Sequence, residues 1–343
     1  MITLFDAASR RHEPPGFVVA GRLQPSPERP ERIDMLLDGL GRLGIAPVAP
    51  PPIDLAATGI VHTERYLAFL ATVVERWARV GGGSAWPVPN IHALGRATLP
   101  EPSYPDSVIG QVGYHIGDGS APILPGTLDA MLGAAACALE AARLVAGGER
   151  LVYALARPPG HHAAADVAAG FCYLNNSALA AETLVRAGHR VAILDVDVHH
   201  GNGTQAIFYD RADVLTVSIH ADPARFYPFF WGYAHETGRG DGAGFNLNLP
   251  LARGTGDADY LAALATALDR VRRHEPTVLV VAAGLDASAE DPFQGFAVTT
   301  AGFEAIGRAI AALGLPACVI QEGGYPSPSL GINLAALLGG LGA

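Results

Sequence analysis

The run DVDVHH at 195–200 places two aspartates and a histidine at every second position. Side chains alternate faces in an extended strand, so Asp195, Asp197 and His199 project to one side, where a carboxylate and an imidazole can share a metal ion. Asp286, in AAGLDAS, stands at the end of a different apolar run and brings a third ligand. Two carboxylates and one imidazole leave coordination positions open, which is the composition of a catalytic zinc site and not of a closed structural one. A metal held in this way polarises a carbonyl and brings water to a pKa of about 7. The expected chemistry is hydrolysis of an amide, freeing an amine from its acyl group. His161 and His162, adjacent in RPPGHH, offer two bases for the water's proton. Tyr325, in EGGY, can donate to the developing oxyanion, and the glycine pair before it permits a sharp turn. Singly, each feature has a bland reading: an Asp-x-His cap, a histidine pair with one buried and one solvated, a turn with a packed ring. Their convergence at four strand ends argues for a site.

From about residue 127 onward, short β-branched apolar runs alternate with longer Ala/Leu-rich stretches, the pattern of βαβ units around a parallel sheet. The spacing predicts strands at Leu151 to Ala156, Val191 to Asp197, Val214 to His220, Val278 to Gly284 and Ala317 to Gln321. Helices are expected at Thr127 to Ala146, Asn175 to Ala187, Asp257 to Arg273 and Thr300 to Leu313, with Gly188 and Gly314 as C-caps. Ligands of open α/β sheets collect at the carboxyl ends of strands, where these residues stand. Earlier in the chain, Pro30 to Leu43 and Thr63 to Val80 read as helices separated by the Pro-rich turn APVAPPPID. A Gly/Pro-rich segment, about 81–126, reads as one long functional loop inside a single domain of residues 1–343.

Half of the 343 residues are hydrophobic and 16% are charged, which fits a packed enzyme-like core and excludes disorder. The net charge of −10 and the lack of a basic stripe disfavour nucleic acid and suit a cationic substrate. Every basic side chain is arginine, read as coding bias. Cys137, Cys172 and Cys318 have neither metal-ligand nor disulfide-framework spacing and fit a reducing cytoplasm. No secretory h-region or long uncharged apolar run is present, so no membrane partner is expected.

RPPGHHA, GFCYLNN (170–176), ILDVDVHHGNGT (193–204), VSIH (217–220), GLDASAEDP (284–292) and EGGY (322–325) together resemble the zinc-dependent histone deacetylase family. The match reaches back to PERPERI (27–33) and VHTERYLAFL (61–70). Within that family, the segment before Gly126 and HADPARFYPFFWGYA (220–234) look like bacterial acetylpolyamine amidohydrolases. The resemblance implies an arginase/deacetylase fold: three layers, with a mainly parallel sheet of about eight strands flanked by helices. It implies Asp197, His199 and Asp286 as zinc ligands, with iron(II) as an alternative ion, and a potassium site at Asp195, Asp197, His199 and Ser218. His162 becomes the general base and then acid, His161 an electrostatic stabiliser oriented by Asp195, and Tyr325 the carbonyl polariser. Arg32 matches an arginine near the acetate exit channel; Gly170, Phe171 and Tyr227 wall the acyl-amine tunnel.

Three positions depart from the family pattern. Tyr227 stands where Phe is usual, Asn202 replaces a carboxylate partner of His162, and Phe293 replaces a smaller aliphatic residue and narrows the mouth. The amidohydrolase likeness further implies a homodimer whose interface narrows the site around slender acetylated amines, with Glu101, Asp106 and Asp118 as binders of distal ammonium groups. The rival within the class is a broader deacylase of protein lysines or small molecules. An arginase-like site with two manganese ions lacks its extra ligands here, and a binding-only sensor has no use for His161, His162 and Tyr325.

Overall fold

The computed structural model describes residues 1–93 and 102–343. In chain order its strands are β1 (Ile2–Leu4), β2 (Phe17–Val19), β3 (Arg22–Gln24), β4 (Leu151–Ala154), β5 (Val191–Asp195), β6 (Val214–Ala221), β7 (Asn246–Leu251), β8 (Val278–Ala283) and β9 (Ala317–Gln321). The helices are α1 (Glu31–Arg42), α2 (Glu64–Trp77), α3 (Val108–His115), α4 (Thr127–Ala146), α5 (Asn176–Arg186), α6 (Asn202–Phe208), α7 (Asp257–His274), α8 (Thr300–Ala311) and α9 (Leu330–Gly340).

Seven strands, against the expected eight or so, form a sheet in the order β1-β4-β9-β8-β5-β6-β7, with every pairing parallel. Both faces are covered, which is why the strands read as continuous apolar runs and not as alternating ones. Leu194, Val217, Val281 and Val319 face a core that includes residues of α1, α7, α8 and α9. Their neighbours Ile193, Val280, Cys318 and Ile320 face the other way, into a core built with α4 and α5. The result is three layers, as the arginase/deacetylase resemblance implies. Each fully buried Val or Leu contributes about 1.5–3 kcal/mol relative to exposure.

Most expected elements stand within two or three residues of their predicted bounds, with Gly188 and Gly314 at positive φ beyond α5 and α8. One boundary matters for chemistry. The strand expected to run from Val191 to Asp197 ends at Asp195, because the Asp195 carboxylate captures the Asp197 N–H and turns the backbone. The segment 81–126 is not all loop: α3 lies within it, burying Val112 and Tyr114. Short β1, edge strand β7 and helices α6 and α9 were not expected.

Sheet order places β4, β9, β8 and β5 side by side, and these are the strands whose carboxyl ends carry His161 and His162, Tyr325, Asp286, and Asp197 with His199. Tight packing of α9 on α1 closes one layer. A Cβ on Gly39 would stand 2.4 Å from the Gly331 carbonyl oxygen, whereas one on Gly41, a half-turn away, would meet nothing within 4 Å. Gly39→Ala should therefore destabilise the fold by about 1–3 kcal/mol, while Gly41→Ala should stabilise it by up to about 1 kcal/mol through helix propensity. Thermal melts of the two variants check the contrast.

Candidate active site

The chain leaves β5 through a ladder of aspartate turns. Asp195 accepts the Asp197 N–H at 3.0 Å, and Asp197 accepts the His199 N–H at 2.9 Å. These bonds, more than the pleat of a strand, bring Asp197 and His199 forward. Asp286 arrives from the turn after β8 and is fixed by the Val198 N–H, 2.9 Å from its Oδ1. Gly323, after β9, donates its N–H to Asp197 Oδ2 at 2.8 Å. A Cβ there would lie 2.2 Å from Asp286 and 2.5 Å from Asp197, so only glycine lets the β9 turn close over both carboxylates.

One donor atom each from Asp197, His199 and Asp286 lies within 4.8 Å of the others, and all three residues are buried. His199 Nδ1 stands 3.1 Å from Asp197 Oδ1 and 3.1 Å from Asp286 Oδ2. An imidazole nitrogen carries at most one proton and cannot serve both oxygens fully. A cation among the three donors would serve all of them, so the residues fit a metal ion. Electrostatics agree. Burial and then the Asp197 charge push the Asp286 carboxyl up to about 6, a strain that positive charge relieves. Burial works against an ionised Asp197, but His161 and His199 outweigh it and hold its pKa low.

The two adjacent histidines have opposite characters. His161 donates from Nδ1 to Asp195 Oδ2 at 2.9 Å. Burial opposes its protonation, yet the Asp197 and Asp195 carboxylates keep its pKa well above the ordinary value. His162, with its ring centroid 4.1 Å from that of His161, donates from Nδ1 to Asn202 Oδ1 at 2.7 Å. Burial first, then the His161 and His199 charges, lower its pKa strongly. His162 is thus neutral with a bare Nε2, the form in which an imidazole accepts a proton. The neutral amide of Asn202 orients the ring without adding charge.

Tyr325 sits behind this centre with its ring 5.0 Å from Phe293 and 5.8 Å from Phe171. Burial raises its pKa despite the opposing Arg32 guanidinium, so the phenol keeps its proton and can donate. Arg32 lies 4.9 Å from the Tyr325 ring centroid and donates to the carbonyls of Gly324 and Glu322, each at 2.6 Å. Its remaining nitrogen donates to Glu28, which also receives Arg157.

Two carboxylates without an expected role hold the parts together. Glu322 accepts the N–H groups of Gly160 (2.6 Å) and His161 (3.0 Å) and the Ser177 hydroxyl (2.7 Å), tying the histidine loop to the tyrosine turn. Burial pushes it up to about 7. Asp291 accepts the Phe293 N–H at 2.9 Å and the Tyr325 N–H at 3.0 Å, and burial pushes it up to about 8. Both serve backbone groups, which have no sequence signature; an acid beside each motif was the only available signal.

The approach to the centre is aromatic. Phe171, at φ 66°, packs against Phe293 and against Phe17 of the β2–β3 hairpin, a wall residue the sequence did not reveal. Tyr227 stands across from them, 4.9 Å from the His162 ring. Its hydroxyl is not free at the mouth: it donates to Asp118 Oδ2 at 2.6 Å, which also accepts the Gly170 N–H at 3.1 Å. Asp118 is accordingly built into the mouth and is not an unengaged rim acid. Asp106 is exposed and meets Arg76 through its backbone carbonyl, so the single chain does not bring it to the centre. Glu101 lies outside the described residues. Ser218 faces Asp195 across the β5–β6 pairing. Among the described residues, no helix is long and apolar enough to cross a membrane.

Residues 26–341 match the family described as the histone deacetylase domain. The acetylpolyamine amidohydrolase of Burkholderia pseudomallei (strain 1710b) is 42% identical over 344 residues, spanning 100% of this chain and 99% of the relative. Acetylpolyamine amidohydrolase 2 of Pseudomonas aeruginosa is 40% identical over 347 residues, spanning 99% of this chain and 98% of the relative. A crystal structure of acetylpolyamine aminohydrolase from Burkholderia pseudomallei superposes with a TM-score of 0.94 at 42% identity, covering 100% of this chain and 99% of that one. The HDA15 HD domain does so at 0.80 and 30% identity, covering 99% and 89%. With the match running through every strand end that feeds the centre, the chain belongs to the histone deacetylase family.

Proposed function

We propose that the chain hydrolyses acetylated amines, with acetylpolyamines as substrates and one zinc ion held by Asp197, His199 and Asp286. The observation that carries this reading is the meeting of those three donors with His161, His162 and Tyr325 in one buried centre. The polyamine is supported by the full-length relatives that are acetylpolyamine amidohydrolases. When bound, the ion supplies Lewis acidity, polarising the acyl carbonyl and acidifying water.

The protein's own groups do the remaining work. His162 takes the proton of the attacking water at Nε2 and returns it to the departing amine nitrogen. His161, oriented by Asp195 through Nδ1, offsets the negative charge that develops beside it. Tyr325 donates its hydroxyl hydrogen to the acyl oxygen as that oxygen gains charge. Gly170, Phe171, Tyr227 and Phe293 hold the slender chain of the acetylated amine in line, and Arg32 fixes the Tyr325 turn. Asp118 adds negative charge near the mouth. Exposed Asp106 would act on a distal ammonium only across a dimer. That dimer is supported by an apolar rim, where Phe229, Phe230 and Trp231 are 50%, 75% and 49% exposed beside Tyr227.

Asp195, Asp197, His199 and Ser218 would together hold a structural potassium ion. Burial lowers His220 to about 4, so it is neutral, donating from Nε2 to the Gly232 carbonyl and accepting the Ser218 hydroxyl at Nδ1. That leaves the Ser218 oxygen lone pairs for a cation. Three buried free cysteines suit the cytoplasm.

Acetylputrescine, acetylspermidine and an acetyl-lysine peptide compared by kcat/KM test the substrate. Higher values for the two polyamines are expected, and a preference for the peptide would make this a broader deacylase. Tyr325→Phe should lower kcat by about a hundredfold or more while the metal content stays unchanged; full activity would remove the tyrosine from the reaction. His199→Ala should lose the bound metal, and undiminished zinc by elemental analysis would overturn the ligand set.

A further inference from the structure

At the end of the sheet opposite the metal cluster, an open pocket of about 660 Å³ lies where β5, β6 and β7 begin and α7 ends. Arg190, Arg270 and Arg273 line it. Around it the arginines are paired: Arg272 with Asp269, and Arg211 with Glu182 and Asp213. The three in the pocket form no ion pair among the described residues, in a chain that has 33 acidic residues for 23 basic ones. Among the described residues the Arg190 guanidinium donates only to the His274 carbonyl and the Arg270 guanidinium only to the Gly244 carbonyl, while Arg273 is exposed. Asp213, the carboxylate in the lining, is neutralised by two bonds from Arg211.

The pocket is also preorganised. The Gly244 carbonyl, at 2.6 Å, and the Phe245 ring, with its centroid 5.9 Å away, fix the Arg270 guanidinium. His274 is only 6% exposed; its Nε2 donates to the Val191 carbonyl, and its Nδ1 has no partner among the described residues although the ring lines the pocket. Burial, and then Arg273, depress Arg270; burial, and then Arg270 and Arg190, depress His274. Like charges held together without a counter-charge destabilise the free protein, and an anion relieves that repulsion.

We propose that this pocket binds a small multivalent oxyanion of the diphosphate class. Guanidinium forks match phosphate oxygens in pairs, and three of them exceed what one carboxylate can neutralise. The Phe245 ring provides an apolar wall for the organic part of such a ligand.

The test is calorimetric titration of the metal-loaded, full-length protein with pyrophosphate. One ion per chain is expected to bind. Arg190→Gln with Arg273→Gln should weaken binding by about a hundredfold, about tenfold for each charge-assisted contact removed, while hydrolysis of the acetylated amine stays unchanged. Arg273→Gln alone changes an exposed, unpaired side chain and should weaken binding about tenfold with the fold intact. No binding by the unaltered protein overturns the assignment. So does equal binding by either variant, which would put the pyrophosphate on the metal.

Discussion

Asp197 and Asp286 face one imidazole nitrogen of His199 in a buried part of the molecule. Two carboxylates cannot both ionise there without positive charge between them. The remainder of the centre is arranged around that requirement. His161 is kept charged by Asp195 on one side and Asp197 on the other, and its charge in turn helps to keep neighbouring His162 neutral. The contrast between the two rings follows from burial, which lowers His162, and from the carboxylates that raise His161.

Holding like charges together needs rigid support, and the sheet provides it. Four adjacent parallel strands deliver the clustered His, Asp and Tyr side chains, so no group depends on a long unsupported loop. Glu322 clamps the histidine loop and Asp291 the tyrosine turn, each by accepting backbone N–H groups. Both carboxylates are cut off from solvent, Glu322 at 0% and Asp291 at 2% exposure, and that burial raises their pKa values.

The central part of this arrangement was legible in the sequence, because apolar strands covered on both faces are unbroken runs and the polar residues that follow them stand out. The alternation rule gathered Asp197 and His199, which do come together, but through a different geometry, since β5 ends at Asp195 and aspartate turns take over. Other parts were hidden for identifiable reasons. Helix α3 lies in a Gly/Pro-rich stretch, β1 is three residues long, and β7 contains Pro250 at the sheet edge, where its missing N–H does no harm. Phe17 joins the cluster of Phe171, Phe293 and Tyr325 from a distant hairpin, and the pairing of Tyr227 with Asp118 spans 109 residues. Contacts of that kind depend on the tertiary path of the chain and leave no local periodicity.

Glu28 is shared by Arg32 and Arg157, and all three are fully buried. Arg32 holds the Glu322 and Gly324 carbonyls, while Arg157 holds the carbonyls of Ser9 and His12 and begins the loop that bears His161. One carboxylate thereby joins the amino-terminal segment, the histidine loop and the tyrosine turn. In evolutionary terms the trio forms an epistatic block: substitutions at these positions should be strongly non-additive. A chimera with a relative has to transfer all three together.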